Sequence, residues 1–191
     1  MSFNIIQPEQ YQTILWKNNK GKTIELALNE GGTTDDFDWR ISSATVTEEG
    51  VFSDFSGSER NMVLIEGSGL TLKHDNGQID HLTNPLDIAN FDGGWRTTSQ
   101  LDNGTIKNIN LMTNKNKFSV DVSTFVECQR QKIMPADLVF IISLADNTKL
   151  NIDGNSIVLG KFCLAKLISE VDDIIISGQQ VIVFRLLFVM Q

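Results

Sequence analysis

Two arginines carry the clearest chemical signal in this chain. Arg40 lies in the run Trp39-Arg40-Ile41-Ser42-Ser43-Ala44-Thr45-Val46. Strand alternation puts Arg40, Ser42, Ala44 and Val46 on one face, and Trp39, Ile41, Ser43 and Thr45 on the other. An arginine sharing a face with small and apolar residues reads as one that points into a cavity. A guanidinium there demands an anionic partner. That partner is either a carboxylate of the chain itself or one brought by a ligand, and both alternatives stand at this point. Arg60 raises the same question, with Glu59 and Glu66 as internal candidates.

The remaining reactive side chains say less. His74 and His81 are the only two histidines. Asn76-Gly77 between them suits a two-residue type I′ hairpin turn. Such a turn sets His74 opposite Ile79 and Leu72 opposite His81, so that Leu70, Leu72, His74, Ile79 and His81 share a face. A metal would still need a third ligand, such as Asp80 or Glu66. Both histidines are therefore read as ordinary hairpin residues, and no metal or cofactor is expected. Ser53, Ser56 and Ser58 flank Gly57 without a Gly-x-Ser-x-Gly elbow. Gly31-Gly32 and Gly93-Gly94 lack phosphate-loop spacing and read as turns. Cys128 and Cys163 lie far apart and outside any CxxC pattern, as expected of two buried, reduced thiols.

These residues must be positioned by strands. Met62 to Ile65, Leu70 to Leu72, Thr105 to Leu111 and Phe118 to Val122 have strand character. So do Leu138 to Leu144, Lys149 to Ile152, Ser156 to Leu159, Ile174 to Ile176 and Val181 to Met190. Such close spacing indicates a sandwich or barrel. Helix is expected at most around Pro8 to Tyr11, and Lys161 to Val171 is ambiguous. The Val63 to Leu72 segment has a weak echo in Leu138 to Ile152. No proline-rich linker divides the chain. One compact unit over residues 1–191 is expected, with approximate halves 1–122 and 123–191.

Bulk properties narrow the function classes. A chain of 191 residues with 41% hydrophobic and 21% charged residues is globular rather than disordered. At this size folding buries roughly 70% of the unfolded surface, so no disulfide or metal staple is needed. The formal charge of -8, from 24 acidic against 16 basic residues, argues against a nucleic-acid partner. Met1-Ser2-Phe3-Asn4 has no basic region before an apolar run and does not read as a signal peptide. Val181 to Met190 is about half the ~20 residues of a spanning helix, and Arg185 interrupts it. A cytoplasmic protein with no membrane association is the expectation.

Five blocks taken in order add more. They are Trp16-Lys17-Asn18, Thr23-Ile24-Glu25-Leu26, Asp38 to Ser42, Phe52-Ser53-Asp54-Phe55-Ser56-Gly57 and Arg60 to Gly69. A further zone runs from Pro85 through Phe91-Asp92-Gly93 to Met112. Together these resemble the HutD/Ves family, which is linked to histidine utilisation or to stress. The likeness is sharpest from Leu15 to Leu72 and after Phe125 is only general β character.

The resemblance implies an all-β double cupin (bicupin) with a pocket near a barrel mouth. By position it also implies a ligand-binding role for Trp16, Lys17, Asn18, Arg40, Ser42, Ser53, Arg60, Phe91 and Asn110. The chain departs from the family at Asn19-Lys20-Gly21, where glycines usually run, and at Ile24, where a basic residue often precedes the glutamate.

The leading expectation is a protein that binds a small anionic metabolite, with Arg40 and Arg60 as carboxylate partners. By family analogy the ligand would be an intermediate of histidine breakdown such as urocanate or formylglutamate. Two alternatives stand beside it. One is a metal-independent isomerase or hydrolase using Lys17 or Glu25. The other is a protein-interaction β-module. A homodimer is compatible with cupins in general.

Overall fold

The computed structural model describes residues 3–15 and 22–189. Among them nearly every element is a strand, and every strand pair is antiparallel. Two compact units form. One is contiguous, Tyr11–Lys117, and the other combines Met1–Gln10 with Phe118–Gln191. Strand β1 (Phe3–Ile6) opens the chain, followed by a single 3-10 turn at Pro8–Gln10 where the one short helix was expected.

The contiguous unit holds ten strands. They are β2 (Gln12–Leu15), β3 (Lys22–Leu28), β4 (Trp39–Val46), β5 (Gly50–Val51), β6 (Ser58–Glu66), β7 (Leu70–His74), β8 (Ile79–Leu82), β9 (Ile88–Asp92), β10 (Thr97–Leu101) and β11 (Ile106–Asn114). Six of them make one sheet in the order β2-β3-β4-β11-β6-β9, and four make another in the order β5-β10-β7-β8. Val46, Met62, Leu64, Ala89, Phe91 and Ile106 from the first sheet pack with Leu70, Leu72 and Leu82 from the second. Complete burial of each of these side chains larger than Ala89 contributes about 2 kcal/mol. The link from β6 to β7 requires glycine. Gly67 has φ +111°, and a Cβ there would lie 2.6 Å from Ile106 Cγ2.

The second unit is a seven-stranded sheet. Its later members are β12 (Phe118–Ile133), β13 (Leu138–Ser143), β14 (Thr148–Ile152), β15 (Asn155–Leu159), β16 (Leu164–Ile168) and β17 (Ile174–Phe188). The order is β1-β16-β13-β17-β14-β15, with β12 also paired to β17. Sequence periodicity separates Ile174 to Ile176 from Val181 to Met190, but β17 joins the first to the second and runs to Phe188. Its first half pairs with β14 and its second with β13, so the sheet turns a corner at Gly178. The register of β12 on β17 shifts between Cys128 and Gln131 at the same place. The ambiguous segment Lys161 to Val171 supplies β16.

The thiols depart from expectation in one respect. Both are free, and Cys163 is buried, but Cys128 is only half-buried. Desolvation raises the pKa of each. The Cys163 thiol donates to Gln7 Oε1 at 2.8 Å.

Candidate functional site

Register brings the polar residues of the contiguous unit together. In the six-stranded sheet Met112 of β11 stands opposite Arg40 of β4 on one side and Arg60 of β6 on the other. The next row inward places Asn110 opposite Ser42 and Met62, and the next places Asn108 opposite Ala44 and Leu64. Period-2 alternation turns all of these toward the space between the unit's two sheets. The expected face of Arg40, Ser42, Ala44 and Val46 is the one found. Those four residues line a cavity of about 770 Å³ together with Arg60, Asn108, Asn110 and Met112.

The two arginines differ in company. Arg40 is 3% exposed, and its Nε donates to Glu25 Oε2 at 2.9 Å. Arg60 is 7% exposed, and among the described residues it forms no ion pair. Its Nη2 donates to Asn110 Oδ1 at 3.1 Å, and Asn110 Nδ2 donates onward to Asn108 Oδ1 at 2.6 Å. Arg60 Nε is buried without a hydrogen-bond partner among the described residues. Three rings surround the guanidinium, with Cζ at 5.0 Å from the Phe52 centroid, 5.1 Å from Phe91 and 5.8 Å from Phe55. Such faces attract a cation without neutralising it. Burial, and then the nearby charge of Arg40, lower the Arg60 pKa to about 10. It therefore stays cationic at neutral pH in a setting that disfavours the charge.

A turn holds two of those rings in place. Phe55 N donates to Gly93 O at 2.9 Å and Gly93 N donates to Ser58 O at 2.8 Å. Gly93 is buried, and a Cβ there would lie 2.6 Å from Phe55 O. The Phe91-Asp92-Gly93 segment thus supplies a ring from Phe91 and a seat for the loop that carries Phe52 and Phe55.

The sequence-derived site residues fare unevenly. Arg40, Ser42, Ser53, Arg60 and Asn110 line the cavity. Phe91 is buried behind Arg60 as part of its aromatic surround. Trp16, Lys17 and Asn18 lie outside the described residues. Glu59 and Glu66 are not partners of Arg60: Glu59 accepts from Asn90, and Glu66 pairs with Lys107 at 2.5 Å. Glu25, read only as a candidate acid or base, is the partner of Arg40. Asn108, Phe52 and Phe55 were not anticipated as site residues. Asn108 was within reach, since it lies two residues before Asn110 in the same strand.

The histidine hairpin is corrected. Lys73 pairs with Ile79, Leu72 with Asp80 and Thr71 with His81, one residue away from the type I′ register. The loop has three residues. Gly77 N donates to His74 O and His74 N donates to Gln78 O, both at 3.0 Å. Gly77 carries the positive φ of +88°. This is a type I turn followed by a glycine bulge. The two histidines consequently take opposite faces. Buried His74 bonds Asp80 Oδ2 at 2.9 Å and Thr97 Oγ1 at 2.8 Å, whereas exposed His81 bonds Thr71 Oγ1 at 3.1 Å. Among the described residues no group of three or more His, Cys, Asp or Glu side chains is placed to hold a metal ion.

The HutD family profile matches residues 8–182. The chain belongs to the HutD family. A Pseudomonas putida relative, an uncharacterised 21.2 kDa protein in the hutC 3′ region, is 26% identical over 87% of this chain and 97% of its own. Protein Ves from Escherichia fergusonii is 32% identical over 56% of each chain. The solved structure of HutD from Pseudomonas fluorescens SBW25 (formate condition) has a TM-score of 0.84 at 26% identity, covering 98% of this chain and 100% of its own. A cupin conserved barrel domain protein from Leptotrichia buccalis is similar at a TM-score of 0.54 and 11% identity, over 92% of each chain, and speaks to fold alone. The fold is all-β and cupin-like, as the sequence led one to expect. Among the described residues no helix is long and apolar enough to cross a membrane.

Proposed function

We propose that this HutD-family chain is a binding protein for a small carboxylate metabolite, held in the cavity of the Tyr11–Lys117 unit. One observation carries the reading. Arg60 is a buried guanidinium with an unpaired Nε and no ion pair among the described residues. A bound carboxylate would supply the missing counter-charge and accept the unused hydrogen bond. Asn110, Asn108 and Ser42 would complete its polar surround. Histidine-breakdown acids such as urocanate or formylglutamate are the candidates, and a regulatory or accessory role in the cytoplasm follows from that choice. The supports for these finer points are the hutC-region relative and the HutD likeness.

The test is a thermal-shift screen against urocanate, formylglutamate, glutamate, histidine and formate. A ligand at 100 times its dissociation constant adds about 2.7 kcal/mol. Each kcal/mol raises the midpoint by about 2–4 °C at this chain length. At least one acid should shift the native chain and fail to shift Arg60→Gln. A shift that survives Arg60→Gln refutes the assignment.

A further inference from the structure

We infer that the ligand is a zwitterion, with one carboxylate that meets Arg60 and a cationic group that faces the acidic mouth of the same cavity. This rests on the carboxylate-binding reading above and narrows it.

The charges along the cavity support this. At the buried end Arg40 and Arg60 bring two cations, and Glu25 already answers Arg40 at 2.9 Å. One positive charge is left uncompensated, so one carboxylate neutralises that end. A second carboxylate finds only neutral Ser42, Asn108 and Asn110 beyond it. The exposed part of the lining then changes sign. Asp35, Glu49 and Asp54 are exposed and line the cavity. Among the described residues Arg40 and Arg60 are the only lysines or arginines in that lining. Glu49 accepts from the Leu101 amide, and Asp54 accepts from the Ser56 amide and hydroxyl. These donors are neutral and leave the negative charges in place. A dianion therefore meets repulsion at its outer end, and a ligand with an outward ammonium or imidazolium meets attraction. Because the mouth is solvated, the discrimination is modest and fades with salt.

Calorimetric titration of the full chain at low ionic strength with 4-aminobutyrate, butyrate and glutarate tests this. The three share a carboxylate and differ in charge at the far end. The expected order is 4-aminobutyrate tightest and glutarate weakest, each step being about threefold. In the double variant Asp35→Asn/Glu49→Gln the three affinities should converge while binding persists. Glutarate binding as tightly as 4-aminobutyrate, with both lost in Arg60→Gln, overturns the zwitterion and leaves the carboxylate site standing. An order unchanged in the double variant overturns it as well. Binding of all three that ignores Arg60→Gln overturns both readings.

Discussion

Arg40 and Arg60 stand in one row of the six-stranded sheet, two strands apart, each opposite Met112. Strand spacing puts their backbones about 10 Å from one another. Among the described residues only Arg40 of the two is given a carboxylate, and its charge then adds to the burial that lowers the pKa of Arg60. The two side chains are alike in type but not in role. Arg40 completes an internal pair, and Arg60 is left with rings and amides.

Replacing Arg60 by methionine should separate stability from binding. The lowering of its pKa to about 10 corresponds to about 3 kcal/mol disfavouring the cation. Methionine relieves this and loses the Asn110 bond and the ring contacts. We expect urea denaturation to give a stability within about 1 kcal/mol of the native chain, or above it. Carboxylate-induced thermal shifts should disappear. A loss exceeding about 3 kcal/mol would mark Arg60 as structural.

The same group sets a pH dependence. Its folded pKa of about 10 lies below that of the free side chain, so the folded state holds this proton less tightly than the unfolded one. The destabilisation is full below about 10 and is relieved as pH rises toward the ordinary arginine value. Carboxylate affinity needs the cation. It should be flat from about pH 6 to 9 and fall above about 10 in titrations at fixed ionic strength. The raised pKa values of Cys128 and Cys163 act oppositely on stability. Their contribution is full below the ordinary thiol value of 9.0 and is lost above it. Comparison with Arg60→Met isolates the arginine.

Glu25→Gln should be costlier than removing both members of its pair. The single change leaves Arg40 buried without a counter-charge and is expected to cost about 3 kcal/mol. Arg40→Met with Glu25→Leu removes both charges and should cost about 1 kcal/mol or less. A double-mutant cycle by chemical denaturation checks this, and additive losses would contradict the pairing.

Gly93→Ala should disturb the cavity from behind. Its Cβ would displace the Phe55–Ser58 turn, which carries one of the Arg60 rings. We expect a destabilisation of about 2 kcal/mol from the overpacking and weaker carboxylate binding. Gly94→Ala, at an exposed position, offers a comparison, since its Cβ meets chiefly the Ser56 hydroxyl at 2.8 Å.

His74→Ala should cost more than His81→Ala. His74 is buried between Asp80 and Thr97 and packs on Phe91 and Trp95 at 4.9 and 5.4 Å. We expect about 3 kcal/mol for His74 and less than about 0.5 kcal/mol for exposed His81, measured by thermal or urea unfolding.

How much of this was legible in the sequence depended on the range of the forces involved. The inward face of β4 could be read because alternation is local to one strand. The partner of Arg40 could not, because the Glu25–Ser42 register passes a bulge between Glu25 and Ala27. The hairpin failed by one residue, since Asn-Gly serves a two-residue turn and a three-residue turn with a glycine bulge. That slip exchanges faces, so it misplaced His81 entirely. Phe52 and Phe55 reach Arg60 from a loop, which has no periodicity to read. The continuity of β17 was hidden by Gly178, which marks a corner and not an end.

Among the described residues strand β1 pairs with β16 alone, Phe3 against Leu167 through Ile6 against Leu164. A ribosome makes these partners far apart in time. At about 5–20 residues per second, β1 waits roughly 10–30 s for β16 to be synthesised. The Tyr11–Lys117 unit is contiguous and faces no such delay. The nascent protein therefore acquires the cavity around Arg60 while strand β1 still presents open backbone groups, exposed to chaperones or to a neighbouring polypeptide.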